Sequence, residues 1–207
     1  MDDRFWEIKG HAIEYLDEDH LYVVDGIIVP SITQIVKVNN PNKYARVSAE
    51  VLKKAADAGT AVHEAVEAYA MNGTESNLPE VRGFKFLQKH YKFTVEAVEL
   101  PVLLFRDGDP IAAGRFDLLI RNEKGELGIA DIKRTSNFDK DYLAYQLTLY
   151  RRAFTQSYDQ EITFLAGLHL REDVRKYAPI PIVDDLADEL LDKYFAEGAE
   201  GDEDGDE

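Results

Sequence analysis

The sequence predicts an α/β domain, with a mixed central sheet flanked by helices and a small β-and-helix lead-in at the N-terminus. Three observations carry this. Short apolar runs rich in Val, Ile and Leu crowd between Thr94 and Arg134 and are separated by turn residues. Segments of helical period stand before and after them. The length, 207 residues, suits one domain, or one domain with a small appendage, and can bury a substantial core.

In order, 11–29 reads as a meander with turn signals at Asp19 and Asp25-Gly26. Pro30-Ser31-Ile32-Thr33-Gln34 then opens a helix, with Ser31 and Gln34 spaced as a capping box. Free N–H groups there can also take a phosphate. From Pro41 to Ala70 the period is helical, interrupted at Gly59, with Val62, Ala65, Val66 and Tyr69 on one face and His63 near it. Asn72-Gly73-Thr74 ends this helix. Residues 80–91 form another amphipathic helix, along which Arg82, Lys85, Lys89 and Lys92 make the densest basic group in the chain. Such a run serves either as a solvated face or as a strip that tracks DNA.

Three strands follow, Thr94–Phe105, Ile111–Arg121 and Leu127–Arg134, joined at Asp107-Gly-Asp and at Asn122–Gly125. A helix spans Phe138–Gln156, with Gln146 and Tyr150 as i, i+4 neighbours. Ile162–Leu170 and Arg175–Ile180 read as closing strands, the second at an edge because of Pro179 and Pro181. Ile182–Phe195 is a last helix. This divides the chain into a lead-in (1–40), a core (41–196) and a disordered acidic tail (197–207).

Composition narrows the chemistry. There is no cysteine, which excludes disulfides, thiolate zinc sites and cysteine-bound iron–sulfur clusters. No Walker A pattern is present, so no bound nucleotide is expected. No apolar run approaches the roughly 18 residues of a membrane span, and Met-Asp-Asp-Arg is no signal peptide. A cytoplasmic protein is expected. The net charge is −16, but twelve Asp or Glu against the single Lys193 lie within 184–207. The remainder is therefore only mildly acidic, and a nucleic-acid partner is not excluded.

Asp131-Ile132-Lys133 places an acid and an amine two residues apart in a strand, hence on one face. Read alone, the pair is either an ordinary ion pair or part of a site. Asp117, fourteen residues earlier, adds a hard-oxygen donor, and His63 is either a hydrogen-bonded core histidine or an imidazole ligand.

The pieces Gly59-Thr-Ala-Val-His63, Glu99-Leu-Pro, Gly114-Arg-Phe-Asp117, Asp131-Ile-Lys133 and Gln146-Leu-Thr-Leu-Tyr150 stand in an order that resembles the PD-(D/E)XK nucleases, specifically their RecB-like branch. The lead-in His20-Leu-Tyr…Pro30-Ser-Ile-Thr33 is similar to the segment that precedes the core in phage and mitochondrial genome maintenance exonucleases. The likeness runs over about residues 11–180. It implies a restriction-endonuclease-like core and a Mg²⁺ or Mn²⁺ ion held by His63, Asp117, Asp131 and the main-chain carbonyl of Ile132. Lys133 then acts on water and phosphate, with Gln146 and Tyr150 orienting the lysine or the DNA. Glu99 and Glu67 are candidate acids behind the ligands, and Arg134, Ser31, Thr33, Lys85 and Lys89 candidate DNA contacts. Histidine is a better partner for Mn²⁺ than for Mg²⁺, so activity with Mn²⁺ is expected to equal or exceed that with Mg²⁺.

The expected function is a metal-dependent DNA nuclease, an exonuclease on single-stranded or free-ended DNA in phage-type replication or recombination, with a recombination or replication protein as a further partner. A catalytically silent nuclease-fold binding module and a structure-specific endonuclease stay open as alternatives. Oligomeric state is not readable from the sequence.

Overall fold

A computed structural model describes residues 4–17, 20–39 and 47–200. A four-stranded antiparallel sheet of β1 (Arg4–Ile8), β2 (His11–Leu16), β3 (Leu21–Val24) and β4 (Ile27–Val29) comes first. Helix α1 (Ile32–Lys37) follows, then α2 (Ala49–Asn72) and α3 (Pro79–Tyr91). The central sheet runs in the order β5 (Thr94–Arg106), β6 (Asp109–Arg121), β7 (Leu127–Lys133), β8 (Phe164–Arg171) and β9 (Val174–Ile180). Helix α4 (Lys140–Tyr158) crosses from β7 to β8, and α5 (Asp184–Glu200) closes the chain. β7 and β8 are parallel and every other neighbouring pair is antiparallel. This is the expected mixed sheet.

Helices cover both faces. On one, α1, α4 and α5 bury Ile35, Leu147, Phe154 and Leu190 against Phe116, Ile129 and Leu165. On the other, α2 and α3 bury Val62, Val66, Phe84 and Leu87 against Leu118, Ala130, Ile132 and Leu168. The lead-in sheet packs Ile13, Tyr15, Tyr22 and Val24 against Leu103 and Ala113. The alternation of β7, with Ile129 to one core and Ile132 to the other, leaves Asp131 and Lys133 on the α4 side.

Several boundaries differ from the sequence reading. Strand β1 was not expected, since Arg4–Ile8 carries too little alternation to declare itself; it pairs fully with β2. Gly59 does not interrupt α2, because a single interior glycine costs about 1 kcal/mol and the half of the helix after it packs Val62 and Val66 into the core. Helix α2 ends where expected, with Gly73 at φ 69° as the left-handed cap. Its expected start at Pro41 and the turn at Asp19 lie outside the described residues. Helix α5 runs on to Glu200, four residues into the segment read as disordered tail; 201–207 lie outside the described residues.

Candidate active site

The site forms where β6 and β5 reverse their facing. Residues two apart in a strand point the same way, yet Phe116 joins the α4-side core and Leu118 the α2-side core. The partner strand does the same, with Leu100 on the α4 side and Val98 on the other. Between them stand Asp117 and Glu99, the latter at φ 47°, a left-handed conformation rare for a non-glycine residue. Such a local irregularity re-aims side chains beside functional sites.

Two side chains from separate elements hold the residue between Asp131 and Lys133. Asp117 Oδ2 accepts the N–H of Ile132 at 2.6 Å, and His63 Nε2, from α2, donates to the Ile132 carbonyl at 3.0 Å. His63 Nδ1 lies 3.6 Å from Asp117 Oδ2. Burial works to lower the His63 pKa, but Asp117 and Asp131 outweigh it, and the net displacement is upward. Lys133 Nζ donates to Asp131 Oδ1 at 2.9 Å and to Gln146 Oε1, on α4, at 3.5 Å. Burial raises the Asp131 carboxyl against the opposing pull of Lys133. For Lys133, desolvation is outweighed by Asp131 and Asp117, so the ammonium is favoured.

Whether these residues suit a divalent cation follows from their free donor atoms. Asp131 Oδ2 is 2.7 Å from Lys133 Nζ but outside hydrogen-bond geometry, and it is buried with no hydrogen bond of its own. Two carboxylates, an imidazole and a carbonyl are the oxygen and nitrogen donors that Mg²⁺ and Mn²⁺ accept. The set fits in type. Among the described residues, however, no three His, Asp or Glu side chains already converge as ligands. Asp117 Oδ2 is engaged by the Ile132 N–H and Asp131 Oδ1 by Lys133, which leaves Asp131 Oδ2 as a carboxylate oxygen free of hydrogen bonds.

Glu67, one turn beyond His63, is raised by burial and by Asp117, and Glu99 is pushed up to about 7 by burial, Asp117 and Glu67. Both therefore share the field of Asp117. Tyr150 is buried beneath Gly114: a Cβ at that glycine would come within 2.8 Å of the ring. Two grooves meet these residues. One, about 440 Å³, runs past Val51, Ala55 and Gly59 to His63 and Lys133. The other, about 360 Å³, lies under the lead-in and includes Ser31, Thr33, Glu99 and Tyr150.

The candidate DNA contacts fare unevenly. Arg134 lines the first groove, but its Nε donates to Glu80 Oε1 at 3.0 Å, which commits the guanidinium to a buried acid on α3. Lys85 is paired with Glu75 at 2.7 Å and stacked on Tyr69, and neither it nor Lys89 lines either groove. Ser31 does cap α1, accepting the N–H of Gln34, and bonds Thr33 Oγ1 at 2.9 Å. Sequence reasoning missed Glu80 and His169. The first looked like any acid in a first helical turn. The second, on β8, donates to the Thr135 carbonyl at 2.8 Å and stacks on Phe138, so it holds the loop that follows Lys133.

Neither a protein-family model nor a curated protein matches the sequence. Among solved structures the chain is similar to that of SSO0001, at 16% identity and a TM-score of 0.49, over 81% of this chain and 75% of that one. A likeness at that level bears on neither activity nor ligand.

Proposed function

We propose that this protein is a metal-dependent DNA nuclease of the PD-(D/E)XK type, RecB-like branch, acting as an exonuclease on single-stranded or free-ended DNA in the cytoplasm. One observation carries the reading. His63 from α2, Asp117 from β6 and Gln146 from α4 all meet the single tripeptide Asp131-Ile132-Lys133. A strand holding only a surface ion pair has no need of that convergence.

His63, Asp117, Asp131 and the Ile132 carbonyl would hold a Mg²⁺ or Mn²⁺ ion, which supplies an activated water and neutralises phosphate charge. The protein's own groups do the rest. Asp117 fixes the Ile132 N–H, and so the angle at which the Asp131 and Lys133 side chains stand. Lys133, kept charged by two carboxylates, is the cation that meets the phosphate oxygens as charge grows on them. Gln146 accepts one ammonium hydrogen and sets its direction. The Tyr150 hydroxyl, beneath Gly114, borders the second groove.

The test is degradation of end-labelled linear DNA with Mn²⁺ and with Mg²⁺, beside Asp131→Ala and Lys133→Ala proteins. Cleavage should fall about a hundredfold or more in each variant, and Mn²⁺ should serve at least as well as Mg²⁺. Undiminished cleavage by both variants removes these residues from the mechanism. A closed circular substrate of the same sequence should survive, and its cleavage would mark an endonuclease.

A further inference from the structure

β6 changes neighbours at the site. Leu118–Arg121 pair with β7, while Ala113 bridges Ser31 and donates its N–H to the Pro30 carbonyl at 3.1 Å. Gly114–Asp117 lie in the interval between, and the groove under the lead-in opens beside it.

Arg115, in that interval, is packed on aromatic rings and paired with one acid, but its hydrogen bonds are incomplete. Its guanidinium lies over the Tyr15 ring at 4.9 Å and the Trp6 ring at 5.7 Å, and the side chain is 13% exposed. Nη1 is 3.2 Å from Glu99 Oε2, yet both Nε and Nη1 are buried without a hydrogen-bond partner. A guanidinium that meets one carboxylate but lacks hydrogen bonds is under-satisfied, and Arg115 lines the groove, where an oxyanion can meet it. An arginine held in a fixed plane by aromatic rings is pre-organised for an oxyanion. Ser31 and Thr33 bring hydroxyls to the same groove and Lys37 a second cation, against the one acid Glu99.

The place is as informative as the chemistry. Arg115 precedes Asp117 by two residues of β6, so the groove it lines adjoins the candidate metal site. We propose that this groove is a subsite for a second phosphate of the bound DNA strand, next to the one at Lys133, with Arg115 as its charged ligand and Ser31 and Thr33 as hydroxyl donors. Identifying the ligand as DNA rests on the nuclease reading; the anion site itself does not.

The test is equilibrium binding of a short fluorescent single-stranded oligonucleotide in EDTA, so that no cleavage occurs. Arg115→Gln should weaken binding roughly tenfold or more and lower the slope of log affinity against log salt by about 0.7. Inorganic phosphate should compete against the wild type and lose that effect in the variant. Thr33→Val, which leaves the Ser31 cap in place, should weaken binding several-fold and serves if Arg115→Gln does not fold. An oligonucleotide with a terminal phosphate that gains affinity only in the wild type locates the subsite at a strand end; equal gain from an internal phosphate locates it along the strand. Unchanged affinity and salt slope in both variants overturns the proposal, as does a wild type that binds neither DNA nor phosphate. The Mn²⁺ cleavage assay separates the two readings. A protein that cleaves, with Arg115→Gln unchanged in binding, refutes the subsite alone. One that does not cleave but shows the Arg115 effect refutes the nuclease alone.

Discussion

Replacing Gly114 by alanine tests whether Tyr150 is held where the site needs it. The added Cβ would sit 2.8 Å from Tyr150 Cε1 and 3.3 Å from its hydroxyl oxygen. Carbon atoms in favourable contact stand about 3.5–4.0 Å apart, so the ring or the strand must give by at least about 0.7 Å. The ring cannot give freely, because it is 4% exposed and packed against Phe116 at 5.9 Å between centroids. Overpacking of this kind costs about 1–3 kcal/mol, which for a chain of this size lowers Tm by about 2–12 °C. Thermal unfolding followed by circular dichroism measures it. Tyr150→Leu removes the ring atoms in the way, so Gly114→Ala should cost less in a Tyr150→Leu background than in the wild type, a coupling visible in the double-mutant cycle. Cleavage should fall with Gly114→Ala even at temperatures where the variant is fully folded, since β6 carries Asp117 three residues on. An unchanged Tm, or costs that simply add in the cycle, would refute the contact as the reason for glycine.

Two further outcomes follow from the charges. Glu80→Ala breaks a buried pair and leaves Arg134 with only the exposed Glu172 at 4.0 Å, which should cost about 3 kcal/mol. Burial acts against the Glu80 charge, but the Glu172 N–H, its own N–H and Arg134 together hold its pKa below the ordinary range. That contribution is complete above the unfolded pKa and is lost as pH falls through the folded one, so the variant's deficit in urea unfolding should shrink in acid; a deficit that grows there contradicts it. Mn²⁺ binding should weaken as pH falls, because His63 has a raised pKa and must shed its proton to become a ligand. Calorimetry between about pH 6 and 8 should show proton release in the wild type and a flatter profile in His63→Ala, with the slope remaining near pH 6 belonging to Asp131. Affinity independent of pH in the wild type would exclude His63 from the ligand set.

Much of the site was legible because its signals are local. Asp131 and Lys133 had to share a face once Leu127–Lys133 was a strand, and Gln146 and Tyr150 had to share a stripe once their segment was a helix. The amphipathic period likewise marked which residues of α2 and α3 face the sheet. The pairing of Arg134 was not legible, for the opposite reason. Its partner, Glu80, lies 54 positions away, and nothing in either neighbourhood announces a pairing across α3 and the end of β7.

The sequence by itself determined the order of elements after β1, the two-sided core and the residue types available for chemistry, since these follow from periods of two and 3.6 residues and from donor atoms. Only the tertiary structure decided how those atoms are spent. It turned β5 and β6 over at Glu99 and Asp117, gave the N–H of Ile132 to Asp117 and its carbonyl to His63, and took Arg134 into an ion pair. It also left Arg115 half-buried beside the groove with two nitrogens lacking hydrogen bonds. These outcomes depend on which distant groups come within about 3 Å in a low-dielectric interior, and a short stretch of chain carries no record of them.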